Sequence, residues 1–285
     1  MNAQAITPEL RRWIVSQAAA GHSPEAVLDA MKASGWREDV AMGALETTMR
    51  ASGHWPDGAS LLPAEPARPV PGQAISASAH RLSAGDREVD VLVAMASPRV
   101  VVFGGLVSAE ECSELIELAR LRLARSETVE TSTGSSEVNE ARTSEGMFFQ
   151  PAEFPVCARL EARIATLLGW PLENGEGLQI LRYRPGAEYK PHYDYFDPAE
   201  PGTPTILKRG GQRVGSLVCY LNTPEGGGAT VFPDVGLDVA PLRGNAVFFS
   251  YDRPDPSTRS LHGGAPVTAG EKWVATKWMR ESRFE

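Results

Sequence analysis

The sequence is short of several things, and each shortage excludes something. It holds three cysteines in 285 residues: Cys112, Cys157 and Cys219. They are too few for a disulfide framework and too far apart for a Cys-pair zinc site. Basic charge is also short, with 28 Lys and Arg against 36 Asp and Glu, a net charge of −8. That excludes a generally basic coat, so no nucleic-acid partner is expected. No apolar run approaches the roughly 20 residues that span a bilayer, so no membrane partner is expected either. The opening segment MNAQAITPELRRWIV lacks a basic stretch followed by an unbroken apolar core, which predicts no secretory leader. A reduced, cytoplasmic protein is the expectation. With 42% hydrophobic and 22% charged residues, the chain reads as globular rather than fibrous or disordered.

What is present changes character along the chain. Residues 1–52 read as a three-helix module. Thr7-Pro8-Glu9 and Ser23-Pro24-Glu25 each set a capping residue before a proline at the first helical position. Gly21 and Gly35 mark helix ends. Trp13, Ile14 and Gln17-Ala18 form one apolar stripe, Val27, Leu28 and Met31 a second, and Val40, Ala44, Leu45 and Met49 a third. The module resembles ubiquitin-associated-type three-helix domains in outline, and a docking or oligomerisation role is expected; its partner stays unnamed. Residues 53–90 are rich in Pro and Ala and read as a linker. Residues 91–285 form the main domain. A strand is predicted at Pro98–Phe103. Ser108 and Glu111 form a capping box that opens a helix running to about Arg125. A second helix is predicted from Pro155 to Leu168. From residue 178 the period becomes two, with strands at 178–184, 214–221, 229–232, 245–251 and 272–280. Helices followed by many short strands predict an α+β fold around an antiparallel jelly roll or barrel.

Of five histidines, only His192 and His262 fall in the strand-rich region. His192 and Asp194 are two apart, so on a strand they share a face. Two His and one carboxylate make the facial triad of non-haem Fe(II) oxygenases, with positions left open for substrate and O2. His-x-Asp alone also suits a polar strand end. Lys272 follows His262 by ten residues, and in the last strand it alternates with Val274, Thr276, Trp278 and Arg280. Facing inward, its ammonium needs an anion, which a dicarboxylate cosubstrate would supply. Tyr183 and Thr230 have hydroxyls that can bond the same carboxylate. Taken singly, Lys272 also reads as a surface residue, and Tyr183 and Trp278 as core.

Several ordered segments resemble the prolyl 4-hydroxylase family. They are LQILRYRPGAEYKPHYD (178–194), GGATVFP (227–233) and HGGAPVTAGEKWVATKW (262–278), preceded by LARS (123–126) and RTSEGMF (142–148). The resemblance covers roughly residues 98–281. It implies a double-stranded β-helix with flanking helices, and Fe(II) held by His192, Asp194 and His262 as the catalytic centre. It implies 2-oxoglutarate held by Lys272, Tyr183 and Thr230, O2 as cosubstrate, and ascorbate as reductant. It places Glu176, Arg213, Tyr189 and Trp278 along a peptide groove, although Arg213 also reads as a strand-end charge and Tyr189 as a lid over the metal. Arg280 stands where the family often has His. The implied activity is a 2-oxoglutarate-dependent dioxygenase that hydroxylates prolyl residues of a peptide or protein. Hydroxylation of a small molecule or another side chain is the alternative, and a non-catalytic jelly-roll binding protein the remote one.

Overall fold

The computed structural model describes residues 6–52, 69–76, 78–125, 127–129, 136–138 and 143–285. The chain divides into two compact units, Met1–Ala67 and Arg68–Glu285.

The first unit contains helices Pro8–Ala19, Pro24–Ala33 and Glu38–Ala51. The Thr7 and Ser23 hydroxyls accept from the Leu10 and Ala26 amides, so both predicted caps form. Ile14, Val27, Leu28, Met31, Ala44, Leu45 and Met49 pack as one core. Trp13 departs from the expected stripe. It stays 37% exposed, and Leu10 and Ala18 pack beside Ile14 instead, as three- and four-residue spacing requires.

The second unit is built on two antiparallel sheets. Nine strands form the larger one, in the order Arg81–Ser83, Glu88–Met95, Arg99–Gly104, Ala246–Ser250, Arg213–Tyr220, Lys272–Arg280, Leu178–Tyr183, Glu145–Phe149, Ala124–Arg125. The smaller runs Leu237–Val239, Thr230–Phe232, His262–Gly264, Tyr189–His192. Tyr183, Tyr220, Phe249 and Val274 from the large sheet join Phe232 and Val239 from the small one in a shared core. That double-sheet arrangement is the double-stranded β-helix. The other face of the large sheet, with Trp273, Ala275 and Met279, packs on helices Ala109–Arg120 and Pro155–Leu168. The strand Lys272–Arg280 is therefore buried on both faces, yet its polar residues stay inside.

Two expectations are corrected. The linker assigned to 53–90 is shorter: residues 53–68 lie outside the described part, but Val70 and Ile75 already pack on the core. Leu82 pairs with Val89 in a two-strand ladder that extends the large sheet. Ala84 and Val89 are buried, an alternation that the density of Pro and Ser around it conceals. The helix opened by Ser108 has both halves of its capping box but ends at Arg120, not Arg125. Leu123 turns into the core, and Ala124 and Arg125 pair with Gly146 and Glu145. Within the motifs named above, Ser126 and Arg142 lie outside the described residues.

Candidate active site

Cross-strand register assembles the triad. His262 sits opposite His192 in the small sheet, which brings the two rings to 4.4 Å between centroids. Asp194, two residues past His192, is buried beneath them. His192 Nδ1 lies 2.8 Å from the Lys190 carbonyl, and His262 Nδ1 lies 3.0 Å from the Ser260 carbonyl. Carbonyl oxygens only accept, so both Nδ1 atoms carry the proton and both Nε2 lone pairs turn inward. His192 Nε2 is 3.5 Å from Asp194 Oδ1, and His262 Nε2 is 3.5 Å from Asp194 Oδ2. The three candidate ligand atoms lie within 4.8 Å of one another.

Lone pairs facing lone pairs at this range have no proton to share, and a cation resolves them. Burial pushes the His262 imidazole down to about 4, so it is neutral and free to ligate. Burial opposes ionisation of Asp194, and the nearby Arg213 guanidinium favours it. Two neutral imidazoles and one carboxylate fit Fe(II). Phe249 packs on His262 at 4.3 Å between centroids, and Tyr189 stacks on His192 at 3.7 Å, which fixes both ring planes.

Beside the triad opens a pocket of about 450 Å³ that includes open solvent; Tyr183, Thr230, Lys272 and Trp278 line it. Lys272 stands directly across the ladder from Tyr183. Its stem runs over Gly228, whose φ of +73° suits glycine and where a Cβ would meet Lys272 Cδ at 3.1 Å. Its ammonium is 5.4 Å from the Tyr183 ring and 5.7 Å from the Tyr220 ring. Lys272 is only 4% exposed, yet no carboxylate pairs with it among the described residues. Burial alone pulls its pKa down to about 8. A buried cation without an anion, beside hydroxyls, fits one carboxylate of 2-oxoglutarate.

The remaining sequence-assigned residues divide. Trp278 and Tyr189 line the iron pocket. Glu176 and Arg213 form a buried ion cluster with Arg280 instead. Arg213 donates to both Glu176 oxygens at 2.7 and 3.0 Å, and Arg280 Nε donates to Oε1 at 2.6 Å. Arg213 is thus not a surface charge. It lies over the Trp278 ring at 4.0 Å, so the cluster braces that wall. Its members also line a second cleft of about 1450 Å³ with Phe148, Phe196 and Phe284.

Three contributors escape sequence reasoning. Tyr220 donates to Thr230 Oγ1 at 2.8 Å and so orients one expected cosubstrate ligand. Ser216 donates to Asp194 Oδ2 at 2.6 Å, and Tyr251 contacts Ser216 at 3.1 Å. The available signal was a polar side chain, Ser216, sharing the inward parity of Val218 and Tyr220 in an otherwise apolar strand.

Comparisons with known proteins point to the same family. The 2OG-Fe(II) oxygenase superfamily matches residues 178–280. Prolyl 4-hydroxylase 1 of Arabidopsis thaliana is 43% identical over 204 residues, which cover 65% of this chain and 70% of that protein. Prolyl 4-hydroxylase 5 of the same plant is 39% identical over 222 residues, 70% of this chain and 74% of that one. Among solved structures, the viral collagen prolyl hydroxylase of Paramecium Bursaria Chlorella virus-1 in complex with 2OG aligns with a TM-score of 0.49 and 31% identity. It covers 64% of this chain and 95% of that one. With identity at this level over more than two thirds of the plant proteins, this chain belongs to the prolyl 4-hydroxylase family and is an Fe(II)- and 2-oxoglutarate-dependent dioxygenase.

Proposed function

We propose that the protein hydroxylates prolyl residues within a peptide or protein, and that it works in the cytoplasm with ascorbate as reductant. The observation that carries the substrate class is the similarity to two plant prolyl 4-hydroxylases over 65% and 70% of this chain. Exposed Phe148 supports it: its ring lies 6.4 Å from Trp278 and forms an apolar shelf suited to a pyrrolidine ring. Three buried, unpaired thiols support the reducing compartment.

Bound Fe(II) and 2-oxoglutarate would supply the chemistry: one oxygen of O2 enters an unactivated C–H bond, the other enters succinate, and CO2 leaves. This chain's own residues prepare that event. His192, Asp194 and His262 present lone pairs from one side and leave the opposite side open. Lys272 neutralises a cosubstrate carboxylate where water is scarce, and Tyr183 and Thr230 offer hydroxyls beside it. Tyr220 fixes the Thr230 hydroxyl. Phe249 and Tyr189 keep the imidazoles from rotating, so orientation costs nothing at the moment of reaction. The Glu176–Arg213–Arg280 cluster holds Trp278 upright beside the site. The N-terminal unit would bring the protein substrate close.

The test is direct. The purified enzyme with Fe(II), 2-oxoglutarate and ascorbate is offered proline-containing peptides, and products are sequenced by mass spectrometry. A gain of one oxygen on proline, lost in His262→Ala, supports the reading. A gain on another residue, or only on small molecules, sinks it.

A further inference from the structure

Ser216 lies on the inner face of the strand Arg213–Tyr220 and is fully buried. Its Oγ is 2.6 Å from Asp194 Oδ2 and 3.1 Å from the Tyr251 hydroxyl. Chemistry fixes the direction of this chain. An ionised carboxylate only accepts, so the Ser216 proton points at Oδ2. Ser216 Oγ is then left to accept, and the Tyr251 O–H donates to it. Tyr251 is enclosed between Tyr195 and Phe249, and burial keeps its phenol protonated. Trp278 faces Ser216 across the ladder.

The two Asp194 oxygens are therefore unequal. Oδ2 receives a short hydroxyl bond backed by a second hydroxyl. No hydroxyl donates to Oδ1 among the described residues. An unrestrained carboxylate rotates about its last torsion and can offer one oxygen or both. Offering both would consume one of the positions that the cosubstrate and O2 require. We propose that Ser216, backed by Tyr251, is a positioning residue that occupies Oδ2 and presents Oδ1 alone to the metal. The role rests on the metal reading of His192, Asp194 and His262. Ser216 acts through Asp194 and does not itself touch the reacting atoms.

The experiment measures Co(II) binding to the metal-free full-length protein by calorimetry, beside a thermal melt, with no turnover involved. Ser216→Thr and Ser216→Val are close in volume and differ in the hydroxyl. Ser216→Thr should bind within about threefold of the parent, and Ser216→Val about 10–100-fold more weakly. Tyr251→Phe should fall between them. Equal affinities in the Thr and Val variants overturn the proposal. So does a Val variant that melts early yet binds Co(II) like the parent, because the hydroxyl is then only structural. If Ser216→Val does not fold, Tyr251→Phe decides: parental affinity overturns the proposal, and a loss of about threefold or more sustains it. If His262→Ala takes up Co(II) as the parent does, the metal reading fails and the proposal falls with it.

Discussion

Lys272 and Lys277 lie on one strand, both 4% exposed, on opposite faces. Their circumstances differ. Lys277 Nζ is 2.6 Å from Glu161 Oε1, and the other Glu161 oxygen accepts from the Ala152 amide at 2.8 Å. Burial lowers the Lys277 pKa, and Glu161 works against that pull. Lys272 has two tyrosine rings and no acid, and nothing works against its desolvation. Leaving a buried charge unpaired is costly, so a fold that does so must gain elsewhere. A lysine with its own partner is architecture. A lysine without one is suited to receive an anion brought from outside. The same contrast separates Glu176, which two guanidiniums neutralise, from Asp194, which faces two lone pairs and awaits a metal.

The largest break in this comparison comes from Glu161→Leu. It strands Lys277 as a buried charge and should cost about 3–5 kcal/mol of folding free energy. Denaturant unfolding measures it, and 2-oxoglutarate affinity in the remaining folded protein should not change. Lys272→Met should do the reverse. The dissociation constant for 2-oxoglutarate should rise about 100-fold or more, while Co(II) affinity and melting temperature hold or improve. Stability lost in Lys272→Met, with cosubstrate binding intact, would mean that both lysines are structural.

A pH titration sharpens the contrast further. Burial depresses the Lys272 pKa from 10.5 to about 8 in the ligand-free protein. Between those values the unfolded chain holds the proton more tightly, so it binds more protons than the native state. Stability of the ligand-free protein should then rise with pH from about 8 to about 10.5, by at most about 1.4 kcal/mol per unit. Lys272→Met removes this residue's share, and the difference between parent and variant isolates it. Cosubstrate binding should run the other way, weakening by up to about tenfold per unit above pH 8 as the ammonium is lost. A flat difference curve would contradict the unpaired state of Lys272.

Residues with a role in their own strand or motif were legible in sequence. The alternation of Lys272, Val274, Thr276 and Trp278 reads directly as one face, and the Ser108–Glu111 box as a helix start. His192 and Asp194 announce themselves by spacing. What stayed hidden depends on register between distant strands. Ser216 reaches Asp194 across 22 positions, and Tyr251 reaches Ser216 across 35. No local pattern encodes either pairing. Strand Tyr189–His192 was hidden because it carries Pro191, which argues against a strand unless the strand lies at an edge, and it does. Arg280 looked like a departure in a peptide groove, and its bond to Glu176 becomes visible only when strand Leu178–Tyr183, which Glu176 precedes, pairs with strand Lys272–Arg280.

The smallest effect is expected where the two units of the chain are separated. Among the described residues, Ile14, Leu45 and Met49 belong to the N-terminal cluster, and the clusters of the catalytic unit are drawn from Val70 onward. Cutting at Val91 would remove Val89 and the ladder from Arg81, but a chain beginning at Arg68 retains both. That chain should melt as the full protein's catalytic unit does, bind Co(II) equally, and convert 2-oxoglutarate without substrate within about twofold of the parental rate. Activity on short peptides should be equally unaffected. A larger loss should appear with a protein substrate, because a tethered docking unit raises the effective concentration of target near the metal. Peptide and protein kinetics on the two chains separate the outcomes. Equal loss on both substrates, accompanied by an earlier melt, would show that the three helices brace the catalytic unit rather than recruit for it.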